Sequence, residues 1–330
     1  MSATREILQP RLLPNAFGEG FVWPLLVIAA FTLMIARGIY LLPEGYNGSS
    51  GLTDTFLFLL FLWSLGMGVR ALQPGSRLAS CLVALSLFAV ISMVGSLGAA
   101  SNAIGGGDYV DPWLVEIDAF LFPFYDWKAV ATQLPDYEWA YWTANKFYNS
   151  MTWQPFAFIV ITAVVGKVRN LAKFVTAWGL GLLGCIAPFH WFPALSPMIY
   201  YGVAQGEMPG HQTDLPWRFL PVMEGMRDGS IRAIDLECLT GMVTIPSFHA
   251  CAATILAWAF WEYRWLRWPF LVLNIGMALA AVPIGSHYII DIIFGITVGV
   301  LAAYGATALS SRSWRLPFAA GRQPGTLQPA

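Results

Sequence analysis

Two short stretches of this chain combine histidine with the neighbours that make histidine reactive. The first, Thr244-Ile245-Pro246-Ser247-Phe248-His249-Ala250, places Pro246 where a helix can begin and Ser247 where its side chain can cap that helix. The opening turn of such a helix leaves backbone N–H groups without partners inside it, and such an end binds phosphate. The second, Gly285-Ser286-His287-Tyr288-Ile289-Ile290-Asp291, puts His287 and Asp291 four residues apart, on one helical face and within reach of each other. An ionised Asp inside an apolar stretch is costly and needs a partner, which the imidazole of His287 supplies. A carboxylate that takes the N–H of one ring nitrogen fixes the tautomer and leaves the lone pair of the other free to attack. If His287 captures a phosphoryl group, the leaving oxygen needs a proton, and His249 can give it. Each feature alone has a blander reading: a lone His near an interface is an ordinary polar residue, and the His287–Asp291 pair alone could be a structural or ion-translocating one. The two motifs together favour catalysis of phosphoryl transfer.

The elements that hold these motifs are apolar helices. The residues A, V, I, L, M, F, W, Y and C make up 57% of 330 positions and only 11% are charged, which is a membrane composition. A net charge of -1 without a Lys/Arg run gives no electrostatic footprint for nucleic acid. The four cysteines, Cys81, Cys185, Cys238 and Cys251, form no C-x-x-C pair and suggest neither a compartment nor a metal. A spanning helix needs roughly 20 apolar residues. By that measure eight spans are predicted, at about 21–41, 54–73, 78–100, 147–166, 173–194, 246–262, 267–284 and 287–309. The first is a retained helix, since no signal-cleavage pattern follows it. Residues 111–134, aromatic and acidic together, read as an interfacial piece.

With a cytoplasmic N-terminus, twelve of the eighteen basic residues, from Arg5 and Arg11 through Arg70, Lys167 and Arg264 to Arg322, fall on the cytoplasmic side. Both termini are then cytoplasmic. The spans carrying His249 and His287 both start from the other face, so the two motifs meet at one depth outside the cytoplasm. A count wrong by one helix between them would separate them.

The two motifs resemble the second and third signatures of the type 2 phosphatidic acid phosphatase superfamily, Pro-Ser-x-His and His-x-x-x-Asp. "IPSFHA" at 245–250 and "GSHYIIDIIFG" at 285–295 look most like its inositol phosphorylceramide synthase branch. The resemblance is strongest over about 240–305 and extends from about 110, leaving the first three spans outside. It implies a core of six membrane helices and metal-independent transfer through a phosphohistidine at the non-cytoplasmic surface. On this chain it gives the nucleophile's place to His287, the orienting carboxylate's to Asp291, the acid–base's to His249 and a phosphate contact to Ser247. The superfamily's first motif, Lys-x6-Arg-Pro, is absent, and Phe192-Pro193-Ala194-Leu195-Ser196-Pro197 stands near its place. The Ser-Arg found upstream of the third motif in typical phosphatases is also missing. Phosphate charge still needs compensation. Arg227 and then Arg232, in "MRDGSIR", are the leading candidates for phosphate binding, with Arg218 and Lys146 behind them.

The expected architecture is therefore an all-α integral membrane protein with about eight transmembrane helices and a six-helix phosphatidic acid phosphatase-like core. Residues 1–105 form N-terminal membrane helices, 106–310 the catalytic domain and 311–330 a disordered cytoplasmic tail. The expected activity is a lipid phosphotransferase or phosphatase acting on a phospholipid, sphingolipid-related or isoprenoid phosphate. It needs no cofactor and no metal, since the spacing suits a metal-free relay as well as a zinc site. Transfer to an alcohol such as inositol or ceramide and transfer to water share the first half-reaction, and the sequence leaves the acceptor and the oligomeric state open. The rival reading is a proton-coupled transporter or channel using the His/Asp pair, for which the internal repeats common in transporters are not evident. His190 and His211 carry no spacing signal, and Tyr148-Asn149-Ser150 with Trp139, Tyr141 and Trp142 read as an interfacial aromatic belt. Gly295-x3-Gly299 reads as a helix-packing pattern, and Gly105-Gly106-Gly107 as a loop without the Lys of a phosphate cradle.

Overall fold

A computed structural model describes residues 22–41, 47–48, 50–204, 215–231, 233–234 and 243–311. Arg232, His211, Cys238 and nearly all of the tail at 311–330 lie outside the described residues. Among the described residues the regular structure is helical except for a two-residue parallel pairing of Asn47–Gly48 with Ala233–Ile234. In chain order the helices are α1 (Val22–Leu41), α2 (Ser50–Leu72), α3 (Arg77–Ala103), α4 (Asp111–Leu121), α5 (Trp127–Gln133), α6 (Glu138–Asn149), α7 (Gln154–Val165) and α8 (Val168–Ile186). There follow α9 (Leu215–Arg227), α10 (Phe248–Phe260), α11 (Arg267–Ala280) and α12 (Ile289–Ser311), with short helical turns between some of them.

Five helices, α1, α2, α3, α8 and α12, are long and apolar enough to cross a bilayer, making this a multi-pass membrane protein. The stretches where the fourth, sixth and seventh spans are predicted hold shorter apolar helices, α7, α10 and α11. The longest of these, α11 with 14 residues, rises only about 21 Å, short of a hydrocarbon core of about 30 Å. The shortening lies at the site. Residues 244–247 enter α10 as turns, and 281–288 join α11 to α12 without regular helix. Non-helical backbone within a membrane protein is tolerated where protein covers it, and Thr244, Ser247 and Ser286 are all buried.

The core is built from the facing sides of α1, α3, α7, α8 and α10. Phe31, Ile91, Phe158, Phe174, Ile255 and Phe260 are fully enclosed there. Local signals explain the helix ends: Ser76 caps α3 by accepting from the Ala79 N–H, and Gly166, at φ 84, closes α7 in the left-handed conformation. The Gly295/Gly299 pattern serves packing. A Cβ on Gly295 would lie 2.3 Å from the Ser247 carbonyl oxygen, and one on Gly299 would lie 2.7 Å from Thr254 Cβ. The missing side chains thus let α12 touch the backbone at the start of α10, joining the two motif-bearing helices.

The piece at 111–134 is two helices, α4 and α5, separated at Asp126, whose carboxylate caps α5 through the Ala129 N–H. On α4, Trp113, Ile117 and Phe120 are exposed while Asp111 and Leu114 are buried. Such a helix presents apolar side chains outward and turns a carboxylate into the protein.

Candidate active site

His287 and Asp291 meet as their spacing predicts. Asp291 Oδ2 lies 3.4 Å from His287 Nδ1 and accepts the Tyr288 N–H at 2.9 Å. Both side chains are buried. With Nδ1 turned to the carboxylate, Nε2 is the nitrogen whose lone pair is available. The backbone of His287 is held as well: its carbonyl accepts from the Trp127 indole N–H at 3.1 Å, and its N–H donates to the carbonyls of Ala281 and Val282. Ser286, just before it, adopts the left-handed region at φ 55, uncommon for a residue with a side chain, and its buried hydroxyl accepts the Met198 N–H at 2.9 Å.

His249, in the first turn of α10, faces this pair across 6.2 Å between ring centroids. Its ring lies flat on Tyr148, with centroids 4.0 Å apart and planes 16° from parallel. Tyr148, in the stretch read as an aromatic belt, therefore belongs to the site. Its ring is packed tightly, since a Cβ on Gly285 would meet it at 2.6 Å. Ser247 is the N-cap of α10, its hydroxyl accepting the Ala250 N–H at 3.4 Å and its own N–H donating to the Asp291 carbonyl at 3.0 Å. The two motifs are thus stitched backbone to backbone.

The two helix starts differ in one respect that bears on phosphate. At α12 the first amides are taken by carboxylates: Ile289 and Ile290 donate to Asp118 at 2.7 and 2.9 Å, and Tyr288 to Asp291. At α10, among the described residues, the Phe248 and His249 N–H groups have no protein partner. An anion is favoured at the second and repelled from the first.

The structure does not bring every candidate together. Arg227 ends α9, and its Nη2 donates to the carbonyl of Gly107 at 2.7 Å, with the guanidinium 4.6 Å from the Tyr109 ring centre. Among the described residues no hydrogen bond or ring contact links Arg227 to His249 or His287. Among the described residues its buried Nη1 has no partner. Tyr109 also donates to Glu224, and burial together with that carboxylate pushes its phenol pKa up. Lys146 lies over the Trp142 ring at 5.4 Å. His190 is tied elsewhere: its Nε2 faces Arg37 Nη2 at 2.9 Å and its Nδ1 the Asn102 carbonyl at 3.2 Å. Because guanidinium only donates, Nε2 accepts and Nδ1 carries the proton.

Four residues around the site had no sequence signal pointing to them: Asp111, Asp118, Trp127 and Tyr148. Asp111 Oδ1 accepts the Tyr288 hydroxyl at 2.9 Å, and its carboxylate also takes the N–H groups of Leu195 and Ser196. Among the described residues no group of three or more His, Cys, Asp or Glu is placed to hold a metal ion. Two facing imidazoles, one backed by a carboxylate, can pass a group and a proton between them without one.

No curated protein and no solved structure matches the chain significantly. A family model does, that of the PAP2 superfamily, over residues 112–305, which takes in both motifs, the clamped start of α12, and nearly all of α4 with α5. With more than half its length matched and both histidine signatures in place, the chain belongs to the PAP2 superfamily, whose members are phosphatases and phosphotransferases.

Proposed function

We propose that this protein transfers a phosphoryl-bearing group from a lipid or isoprenoid phosphate, through a phosphohistidine on His287, to an alcohol or to water. The observation that carries the reading is the pairing of two imidazoles 6.2 Å apart, one buried against Asp291 and the other stacked on Tyr148. In the first half-reaction Nε2 of His287 attacks phosphorus, the bond to the leaving oxygen breaks, and His249 gives that oxygen a proton. In the second, His249 takes the proton of the acceptor hydroxyl as its oxygen attacks phosphorus and the P–N bond breaks. Asp291 holds the imidazole and offsets the positive charge it gains. The free N–H groups at the start of α10, beside Ser247, receive phosphate oxygens.

Three features shape the choice among substrates. The absence of the basic first motif and the likeness of "GSHYIIDIIFG" to the inositol phosphorylceramide synthase branch favour transfer of a headgroup to an alcohol. Exposed apolar side chains on α4 suit a substrate that enters sideways from the bilayer. The distribution of Lys and Arg favours a topology with both termini in the cytoplasm and the site on the opposite face. Purified protein offered phosphatidylinositol, phosphatidate and an isoprenyl diphosphate separates the possibilities. Headgroup transfer to an added alcohol is the expected outcome, release of inorganic phosphate alone assigns a phosphatase, and full activity in His287→Ala overturns the reading.

A further inference from the structure

The acidic face of the interfacial helix α4 is connected to the catalytic motif by a set of hydrogen bonds that the proposed reaction does not use. Asp111 and Asp118 are seven residues apart and so share one side of the helix. Both reach the same short segment, 288–290, from more than 170 residues away in sequence. Asp118 gives one carboxylate oxygen to each of the first two amides of α12, Ile289 at 2.7 Å and Ile290 at 2.9 Å. These amides have no intrahelical acceptor, and a bidentate carboxylate at a helix start is stabilised by both hydrogen bonding and the helix dipole. Asp111 holds the hydroxyl of Tyr288, the residue next to His287. The segment follows the irregular link 281–288 between α11 and α12, in which Ser286 adopts the left-handed region at φ 55, so regular helix does not fix the backbone just before it.

We infer that Asp118, assisted by Asp111, is a positioning residue for the nucleophile: it fixes where α12 begins and therefore where His287 and Asp291 stand relative to His249. It touches neither imidazole. Its influence passes through the Ile289 and Ile290 amides into the turn that carries Tyr288 and His287. Burial raises the Asp118 carboxyl pKa while the two amides pull it down, consistent with a carboxylate placed for those bonds despite its partial desolvation. Glu116, on the same helix, is exposed and serves as the control.

The inference rests on the phosphohistidine reading, so the experiment tests both separately. Full-length protein in detergent micelles is assayed, with whichever of phosphatidylinositol, phosphatidate and the isoprenyl diphosphate the native protein turns over, as Asp118→Asn, Asp118→Ala, Glu116→Gln and His287→Ala, each normalised to folded protein by size-exclusion profile. Asn keeps an acceptor for one amide but presents an NH2 group to the other, and Ala keeps neither. Displacing reacting groups by about 1 Å can cost on the order of 100-fold in rate. The expected result is kcat down about tenfold in Asp118→Asn and about 100-fold in Asp118→Ala, with KM within about threefold and Glu116→Gln unchanged. If Asp118→Ala does not fold, Asp118→Asn decides. Wild-type kcat in the folded Asp118 variants, or a loss confined to KM, overturns the positioning role. Activity surviving in His287→Ala overturns the phosphohistidine reading and the inference with it, whereas an inactive His287→Ala beside a fully active Asp118→Ala overturns the inference alone.

Discussion

Replacing Asp291 by Asn separates the charge of this carboxylate from its shape. The native Oδ2 accepts two hydrogen bonds, from Tyr288 N at 2.9 Å and His287 Nδ1 at 3.4 Å, while Oδ1 is buried without a partner. An Asn side chain can put its carbonyl oxygen in the Oδ2 position and its NH2 group in the Oδ1 position, keeping both bonds and the local fold. What it removes is the negative charge that stabilises the imidazole as it becomes positive. A hydrogen bond involving a charged group contributes about 1.5–3 kcal/mol, against about 1 for a neutral one. The difference, roughly 0.5–2 kcal/mol, corresponds to a kcat lower by about 2- to 30-fold, with thermal stability close to wild type. The bond is at the long end of the hydrogen-bonding range without substrate, and catalytic contacts shorten in the reacting complex, so the loss falls toward the upper figure. Asp291→Ala loses more because it also strands the Tyr288 N–H. Initial rates on phosphatidate in mixed micelles, with melting temperature measured in parallel, give both numbers. Equal kcat in Asp291→Asn and the native protein would refute the role of the Asp291 charge in stabilising the imidazole.

Other perturbations have distinct signatures. His249→Ala is expected to lose about 100- to 10,000-fold on a lipid alkoxide leaving group and much less on a nitrophenyl phosphate, whose leaving oxygen needs no proton; paired kcat measurements check this. Gly295→Ala forces a methyl group to within 2.3 Å of the Ser247 carbonyl oxygen, so a stability loss of about 1–3 kcal/mol is expected in thermal unfolding, with activity falling alongside it. Exhaustive chelation is expected to leave turnover unchanged, and recovery of activity only on adding zinc would replace the histidine relay with a metal mechanism.

The parts of the site legible in the sequence were those whose partners are close along the chain. His287 and Asp291 are four residues apart, Ser247 caps its own helix, and Gly295 and Gly299 repeat at a packing interval, so local spacing is enough. Asp118 could not be read this way. Its partners are backbone amides 171 and 172 residues onward, and amides have no sequence identity. The aromatic ring that stacks on His249 carried the composition of an interfacial belt, which Tyr148 shares with Trp139 and Trp142 while differing in burial. Arginine type alone makes Arg227 a phosphate candidate, and the structure adds that its Nη2 donates to the carbonyls of Gly106 and Gly107 and that its guanidinium lies over the Tyr109 ring, contacts that no local spacing announces. Apolar length located the membrane helices, and it overran α10 and α11 because the apolar stretches continue into residues 246–247, 261–262 and 281–284, which are turns.

The central claim is a covalent phosphohistidine on His287. Rapid quenching of the protein with a phosphate-labelled lipid substrate tests it most directly. The label is expected to remain on the protein in alkali, to be lost in acid, to map to the peptide containing His287 and to be absent from His287→Ala. A turning-over enzyme whose quenched protein carries no label, or carries it in His287→Ala, would contradict the claim.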